Sequence, residues 1–438
     1  MSPAFFIQPP DMTAPSHHFV CFAVPPYLLN AIADSDENDT HIRESARHAL
    51  GLHNDFTSKR QARFAGLTIP RSNPVAAHVQ YRTSIVPDSM LEHIAGSEDV
   101  DNETRAYAKR DLEHIRDIHA KYQEVQGLGV NTSKPETTAA SSVTDKTYRS
   151  VYDMNHDSNE SELPGNVVRI EGQKAVEDKA VNEAYDNVGH VLKFYANIFK
   201  WNSIDNKNRH VISSVHFSKN YENAFWDPEA EQMVYGDGHD FLNNFTGCVD
   251  VISHELTHAV TEYSAPLDYM GQSGALNEHI SDVFGIMIKQ RVENETVDKA
   301  DWLIGEYCLM PGIKGVALRS MKAPGTAYDD PRFGKDPQPS NFKSYEVTME
   351  DNGGVHLYSG IPNKAFYNVA VKFGGYSWEK AGRIWWETMQ SRQVPPRCTF
   401  MHFANLTVHK ARELFGKEAA ATVRKAWKDV GVIRKTRS

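Results

Sequence analysis

The sequence predicts an α+β fold built around a buried helix, and three observations predict it. Val249, Ile252, Leu256 and Val260 recur at spacings of three and four, the apolar stripe of a buried helix. Leu276, Ile280, Val283 and Phe284 mark a second helix that can seat against the first. Upstream of both, Tyr221-Glu222-Asn223-Ala224-Phe225-Trp226 reads as an extended aromatic run with the composition of a strand.

The chain opens on Met1-Ser2-Pro3-Ala4-Phe5-Phe6, which has neither the basic start nor the long apolar core of a secretory signal. An internal repeat follows. Val24-Pro25, Leu29, Ile32-Ala33, Ser35, Arg43, Ala46 and Leu50 recur 62 residues on as Val86-Pro87, Leu91, Ile94-Ala95, Ser97, Arg105, Ala108 and Leu112. Each copy, at about 20–60 and 82–122, reads as a short strand, a Pro turn and two brief helices within a region 1–130. Residues 131–146 are small and polar with no apolar period, a linker open to proteolysis.

The helix over Val249–Val260 carries His254-Glu255-Leu256-Thr257-His258. Positions i and i+4 share a helix face, so the two imidazoles can reach one ion while Glu255 stands beside its open side. A catalytic zinc takes three protein ligands and keeps one open position, and two His with one Glu is a known set. Gly274-Ala275-Leu276-Asn277-Glu278-His279-Ile280-Ser281-Asp282 supplies the candidate third ligand, Glu278. Asp282, one turn on, can hydrogen-bond a ligand imidazole from behind and fix its tautomer.

These segments, with Asn223-Ala224-Phe225-Trp226, Met233-Val234-Tyr235-Gly236-Asp237-Gly238, Leu318-Arg319-Ser320-Met321 and Asp351-Asn352-Gly353-Gly354-Val355-His356, resemble the thermolysin family of zinc proteases from about Tyr148 onward. The resemblance implies two lobes, β-rich over 147–268 and helical over 269–438, with the zinc-binding helix between them. It implies a neutral endopeptidase that binds one zinc through His254, His258 and Glu278. Glu255 would then be the base for the attacking water. Tyr269 and His356 would donate to the oxyanion, with Asp351 orienting that histidine, and prepositioned donors of this kind are worth about 10²- to 10³-fold each. Asn223 and Ala224 would contact the substrate backbone, and Arg319 would grip a substrate carbonyl. Cleavage would fall before a bulky apolar residue, with Val251 and Leu318 walling its pocket.

The first repeat resembles the short propeptide of the protealysin-like subgroup. That resemblance implies a self-processing zymogen whose own propeptide lies in the cleft through Pro25, Pro26 and Tyr27, extended and poorly cleavable. The second copy departs from the first by carrying Asp88 and Ser89 where the first has Pro26 and Tyr27. Calcium is not expected. Where calcium-dependent relatives place further acidic residues, this chain keeps Asp250, Asp301 and Glu306 but has Lys289 and Leu303, and a lysine ammonium can stand in for the cation. A second family calcium site is lost at Val316.

With 438 residues and 40% hydrophobic content, the chain can build two or three cored domains. The net charge of −10 argues against a nucleic-acid partner. No stretch approaches the roughly 18 apolar residues of a membrane helix, so no membrane partner is expected. Cys21, Cys248, Cys308 and Cys398 are scattered, which argues against a disulfide framework and is compatible with a cytoplasmic location or export without a classical signal. The alternative to a protease of peptide and protein substrates is a catalytically silent zinc-bearing binding protein. Glu255, Tyr269 and His356 together count against it, since binding alone needs none of them.

Overall fold

The computed structural model describes residues 22–67 and 147–434, apart from 160–161, 228–229, 239–241, 332–333 and 349–350. The chain falls into two compact units, 1–56 with 145–438, and 57–144. The first repeat thus belongs to the larger unit and is not set apart with the rest of 1–130. The physical reason is burial: Phe22, Val24, Leu28, Leu29 and Ile32 enter the same apolar core as Phe225, Leu256 and Ile280. The second repeat and the 131–146 linker lie outside the described residues.

Helix α1 (Pro26–Asp34) starts with proline in its first turn, where a missing N–H costs nothing, and buries Leu28, Leu29, Ile32 and Ala33. Helix α2 (Thr40–Leu67) is 28 residues long, not brief, since no proline interrupts it. Strands β1 (Arg149–Asp153) and β2 (Asn166–Ile170) precede helix α3 (Lys179–Phe194), which Asp178 caps by accepting from Val181 N at 3.1 Å. Strands β3 (Val211–Val215), β4 (Ala224–Asp227) and β5 (Gln232–Tyr235) complete a sheet of order β2-β1-β3-β5-β4. Its three central strands are parallel, whereas β2 and β4 are antiparallel edges.

Helix α4 (Val249–Ser264), which carries the candidate ligands His254 and His258, is buried from Asp250 to Thr261. Helix α5 (Gly271–Glu293) packs along it, and the two approach so closely at Gly285 that an added Cβ would lie 2.9 Å from the Asp250 carbonyl oxygen. Short strands β6 (Leu303–Ile304) and β7 (Arg319–Ser320) pair beside them. Helices α6 (Asp351–Tyr358), α7 (Gly360–Phe373), α8 (Ala381–Met389) and α9 (Phe400–Asp429, broken at Gly416) form the C-terminal half. The scattered cysteines are not all apart: the buried free thiols of Cys248 and Cys308 meet at 3.1 Å.

Candidate metal centre

Helices α4 and α5 bring His254, His258 and Glu278 together. The two Nε2 atoms stand 3.1 Å apart, and Glu278 lies 3.4 Å from His254 Nε2 and 3.6 Å from His258 Nε2. Donors about 2.0–2.1 Å from a tetrahedral zinc stand about 3.3 Å apart, so the residues fit that ion. Tautomers fit as well. His258 Nδ1 faces Asn277 Oδ1 at 2.8 Å, and burial pushes its pKa down to about 4, so Nδ1–H donates and the Nε2 lone pair faces the site. His254 Nδ1 faces Asp282 Oδ1 at 2.8 Å in the same way. Burial opposes a charge on His254, but Asp282 and Glu278 outweigh it and lift its pKa to about 10. The pocket therefore favours a cation.

Asp282 is itself held. Arg319 donates through Nε at 3.1 Å and Nη2 at 2.9 Å, and Asn363 donates at 2.8 Å. Against the cost of burial, Arg319 and His254 keep the Asp282 carboxyl well below the usual range. Asn363 continues to His279 Nδ1 at 2.8 Å, whose Nε2 accepts from Trp385 at 2.7 Å. Asn277, His279, Asn363 and Trp385 were not read from the sequence as site residues. Only Asn277 and His279 left a local trace, as the two neighbours of Glu278.

Glu255 accepts from Trp226 N of β4 at 3.2 Å through Oε2, and its Oε1 has no hydrogen-bond partner among the described residues. Burial lifts its pKa to about 8. Opposite, Asn352, Gly353 and Gly354 have φ of 51°, 83° and 76°, so the start of α6 is a left-handed turn and not a regular helix. That turn lets Asp351 accept from both His356 N at 2.9 Å and His356 Nδ1 at 2.6 Å. Burial alone would lower the His356 pKa, but Glu278 and Asp351 raise it. Its Nε2 lies 3.4 Å from Tyr269 Oη and 3.5 Å from Glu278 Oε2, and Tyr269 donates to Glu278 Oε1. Val251, one turn before His254, and Leu318, beside Arg319, are both buried.

The edge strand β4 is covered by the first repeat. Phe22 bridges Phe225 antiparallel, and Ala23 N donates to Ala224 O at 3.1 Å. Asn223 accepts from Val24 N at 2.9 Å and donates to Val24 O at 3.2 Å, while Arg319 Nη1 reaches Ala23 O at 3.5 Å. The strand-like piece is thus Phe22–Pro25, which corrects the expected extended Pro25-Pro26-Tyr27. Pro25 is extended, at φ −71° and ψ 150°, but Pro26 and Tyr27 form the first turn of α1. Burial pushes the Tyr27 hydroxyl pKa well up, and it hydrogen-bonds Tyr328.

The lysine site differs in detail from its expected form. Lys289 Nζ pairs with Asp301 at 2.8 Å and Glu306 at 2.9 Å. Asp250 instead accepts from Gly305 N at 2.7 Å and acts on Lys289 only through its field. Val316 is exposed.

The chain is similar in sequence and fold to known proteins. The family description "thermolysin metallopeptidase, catalytic domain" matches residues 118–262, and "thermolysin metallopeptidase, alpha-helical domain" matches 265–432. "Protealysin propeptide" matches 83–127, the second repeat and not the first. The protease PrtS of Photorhabdus sp. (strain Az29) is 49% identical over 294 residues, 66% of this chain and 78% of that protein. An extracellular metalloprotease of Pectobacterium carotovorum subsp. carotovorum is 49% identical over 285 residues, 65% of this chain and 81% of that protein. The solved precursor of protealysin, a metalloproteinase from Serratia proteamaculans, is 45% identical with a TM-score of 0.64, covering 80% of this chain and all of that one.

Proposed function

The chain belongs to the thermolysin metallopeptidase family, and from that premise we propose that Glu255 is the base of peptide hydrolysis at a zinc held by His254, His258 and Glu278. It is a metalloprotease made with a propeptide. The observation that carries the assignment is the convergence of two imidazole Nε2 atoms and one carboxylate, with the next residue along the helix, Glu255, keeping one oxygen without a hydrogen-bond partner among the described residues. Zinc, when bound, supplies Lewis acidity that acidifies water and polarises the peptide carbonyl. Glu255 then accepts the water's proton and passes it to the departing nitrogen. His356, oriented by Asp351, and Tyr269 donate to the developing oxyanion. Asn223 and Ala224 hold the substrate as a strand added to β4, and Arg319 grips its carbonyl while bracing Asp282. Val251 and Leu318 wall the pocket for the bulky apolar residue after the cut. The test is intact mass with time: the purified precursor is expected to shorten without a chelator and stay whole with one. Equal shortening in both would overturn the reading.

The first repeat is the intramolecular inhibitor. Support comes from its main-chain pairing with Ala224, its two hydrogen bonds to Asn223 and the seating of Phe22 beside Phe225, ring centroids 5.4 Å apart. The second copy has Ser84 in place of Phe22, and Asp88 and Ser89 in place of Pro26 and Tyr27. Its weaker apolar anchors would leave the cleft to the first. Phe22→Ala, and Pro25→Ala with Pro26→Ala, are expected to hasten self-processing, followed from the moment of folding, whereas Pro87→Ala does not. Equal rates in all, or a change with Pro87→Ala alone, would reverse the roles of the repeats.

Lys289 makes calcium unnecessary at its site, and one zinc is the only metal the hydrolysis requires. Among the described residues, no helix is long and apolar enough to cross a membrane. Relatives named as extracellular support action outside the cell.

A further inference from the structure

Three neighbouring parallel strands end side by side at one rim of the sheet. Asp153 of β1 is in register with Val215 of β3, and Ser214 of β3 with Val234 of β5. Just past those ends come His156, His216 and Asp237, whose ligand atoms all lie within 4.8 Å of one another. Asp237 Oδ1 is 2.8 Å from His216 Nδ1, and its Oδ2 is 3.4 Å from His156 Nδ1. His156 N donates to His216 O at 2.9 Å, which ties the two loops together. Both histidines sit at positive φ, 60° and 54°, a conformation that persists only where surroundings enforce it.

A second observation points to an ion. Asp178 Oδ2 lies 2.9 Å behind His216 Nε2, while Asp178 Oδ1 caps α3 through Val181 N at 3.1 Å. A carboxylate fixed behind a histidine, with the other ring nitrogen turned to a shared centre, is how metal-ligating imidazoles are oriented. We propose that His156, His216 and Asp237 form a second metal site, for a borderline divalent ion such as Zn²⁺, Cu²⁺ or Ni²⁺, separate from the site on α4. Two nitrogens and one carboxylate disfavour calcium and magnesium, which prefer all-oxygen sets. The His156 side chain is 54% exposed, so water can complete the coordination. A groove of about 580 Å³, lined by His48 of α2, His156 and Ser218 among others, gives the ion access.

His216 is held at both ring nitrogens, Nδ1 by Asp237 Oδ1 at 2.8 Å and Nε2 by Asp178 Oδ2 at 2.9 Å. On binding, His216 Nδ1 and Asp237 turn from each other to the ion as ligands, and Asp178 keeps the Nε2–H.

The test uses the full precursor carrying Glu255→Gln, preloaded with one equivalent of zinc and titrated with zinc chloride by calorimetry. Bound metal is counted after gel filtration. A second, weaker equivalent is expected. His156→Ala in the same background should weaken that step tenfold or more, while the first equivalent and the melting temperature stay unchanged. Asp237→Asn should do the same. With Cu²⁺ at the second site, electron paramagnetic resonance should show two nitrogen ligands, falling to one in His156→Ala. A single equivalent in the parent, or a second one indifferent to both substitutions, would overturn the proposal.

Discussion

Glu255→Gln is expected to retain one tightly bound zinc and lose peptide hydrolysis by about 10²- to 10⁴-fold, the usual worth of a positioned general base. The amide can still accept from Trp226 N, which keeps the β4 contact and the fold. It cannot take the water's proton. His258→Ala should behave differently, losing metal and activity together, since it removes one of three donors that stand 3.1–3.6 Å apart. The comparison separates base from ligand: bound zinc is measured on the same samples as turnover of a fluorogenic peptide. A Gln variant that turns over normally at full zinc occupancy would remove Glu255 from the mechanism, whereas a zinc-loaded parent that turns over nothing would favour the silent binding protein.

Lys289→Ala should lower stability by about 2–3 kcal/mol at pH 7, less than for a fully buried pair because Asp301 and Glu306 are each about a third exposed. The loss comes from leaving those carboxylates, with buried Asp250 nearby, facing one another without a cation. Its sign with pH follows from Asp301. Burial works against the Asp301 charge, but the Lys289 ammonium prevails and holds its pKa below the ordinary value. The stabilisation is therefore present above the ordinary carboxylate range and lost as pH falls through the folded pKa. The gap between variant and parent should close below about pH 4 in denaturant melts. A calcium-selective chelator should leave the parent's melting temperature unchanged, and a large rise on adding calcium to the parent would refute the lysine substitution.

What the sequence made legible was local. The stripe of Val249, Ile252, Leu256 and Val260 placed α4, and the run Tyr221–Trp226 placed the edge strand, because each is written in side-chain period over a few residues. Three of the metal-site partners were within reach for the same reason, standing on two successive helices. The connections that cross the chain were not legible. Trp385 supports His279 across 106 residues, and Cys248 meets Cys308 across 60. No local pattern encodes such pairs, since only the packed core brings them together. Pro25-Pro26 misled for a physical reason: a proline pair is equally at home in an extended segment and at a helix start. Burial of Leu28, Leu29 and Ile32 settles the choice for helix.

The cover over β4 has a colloidal side. A sheet edge with open N–H and C=O groups is a template on which any other chain can add a strand, the usual beginning of edge-to-edge aggregation. In the precursor, Phe22–Val24 occupies that edge, so a freshly folded molecule offers nothing to its neighbours there. Under the proposed mode of substrate binding the same edge stays open once the segment is gone, and the protein trades shelf life for access. Concentrated mature enzyme should therefore cloud sooner than concentrated precursor, and a short strand-forming peptide that fills the cleft should keep it clear.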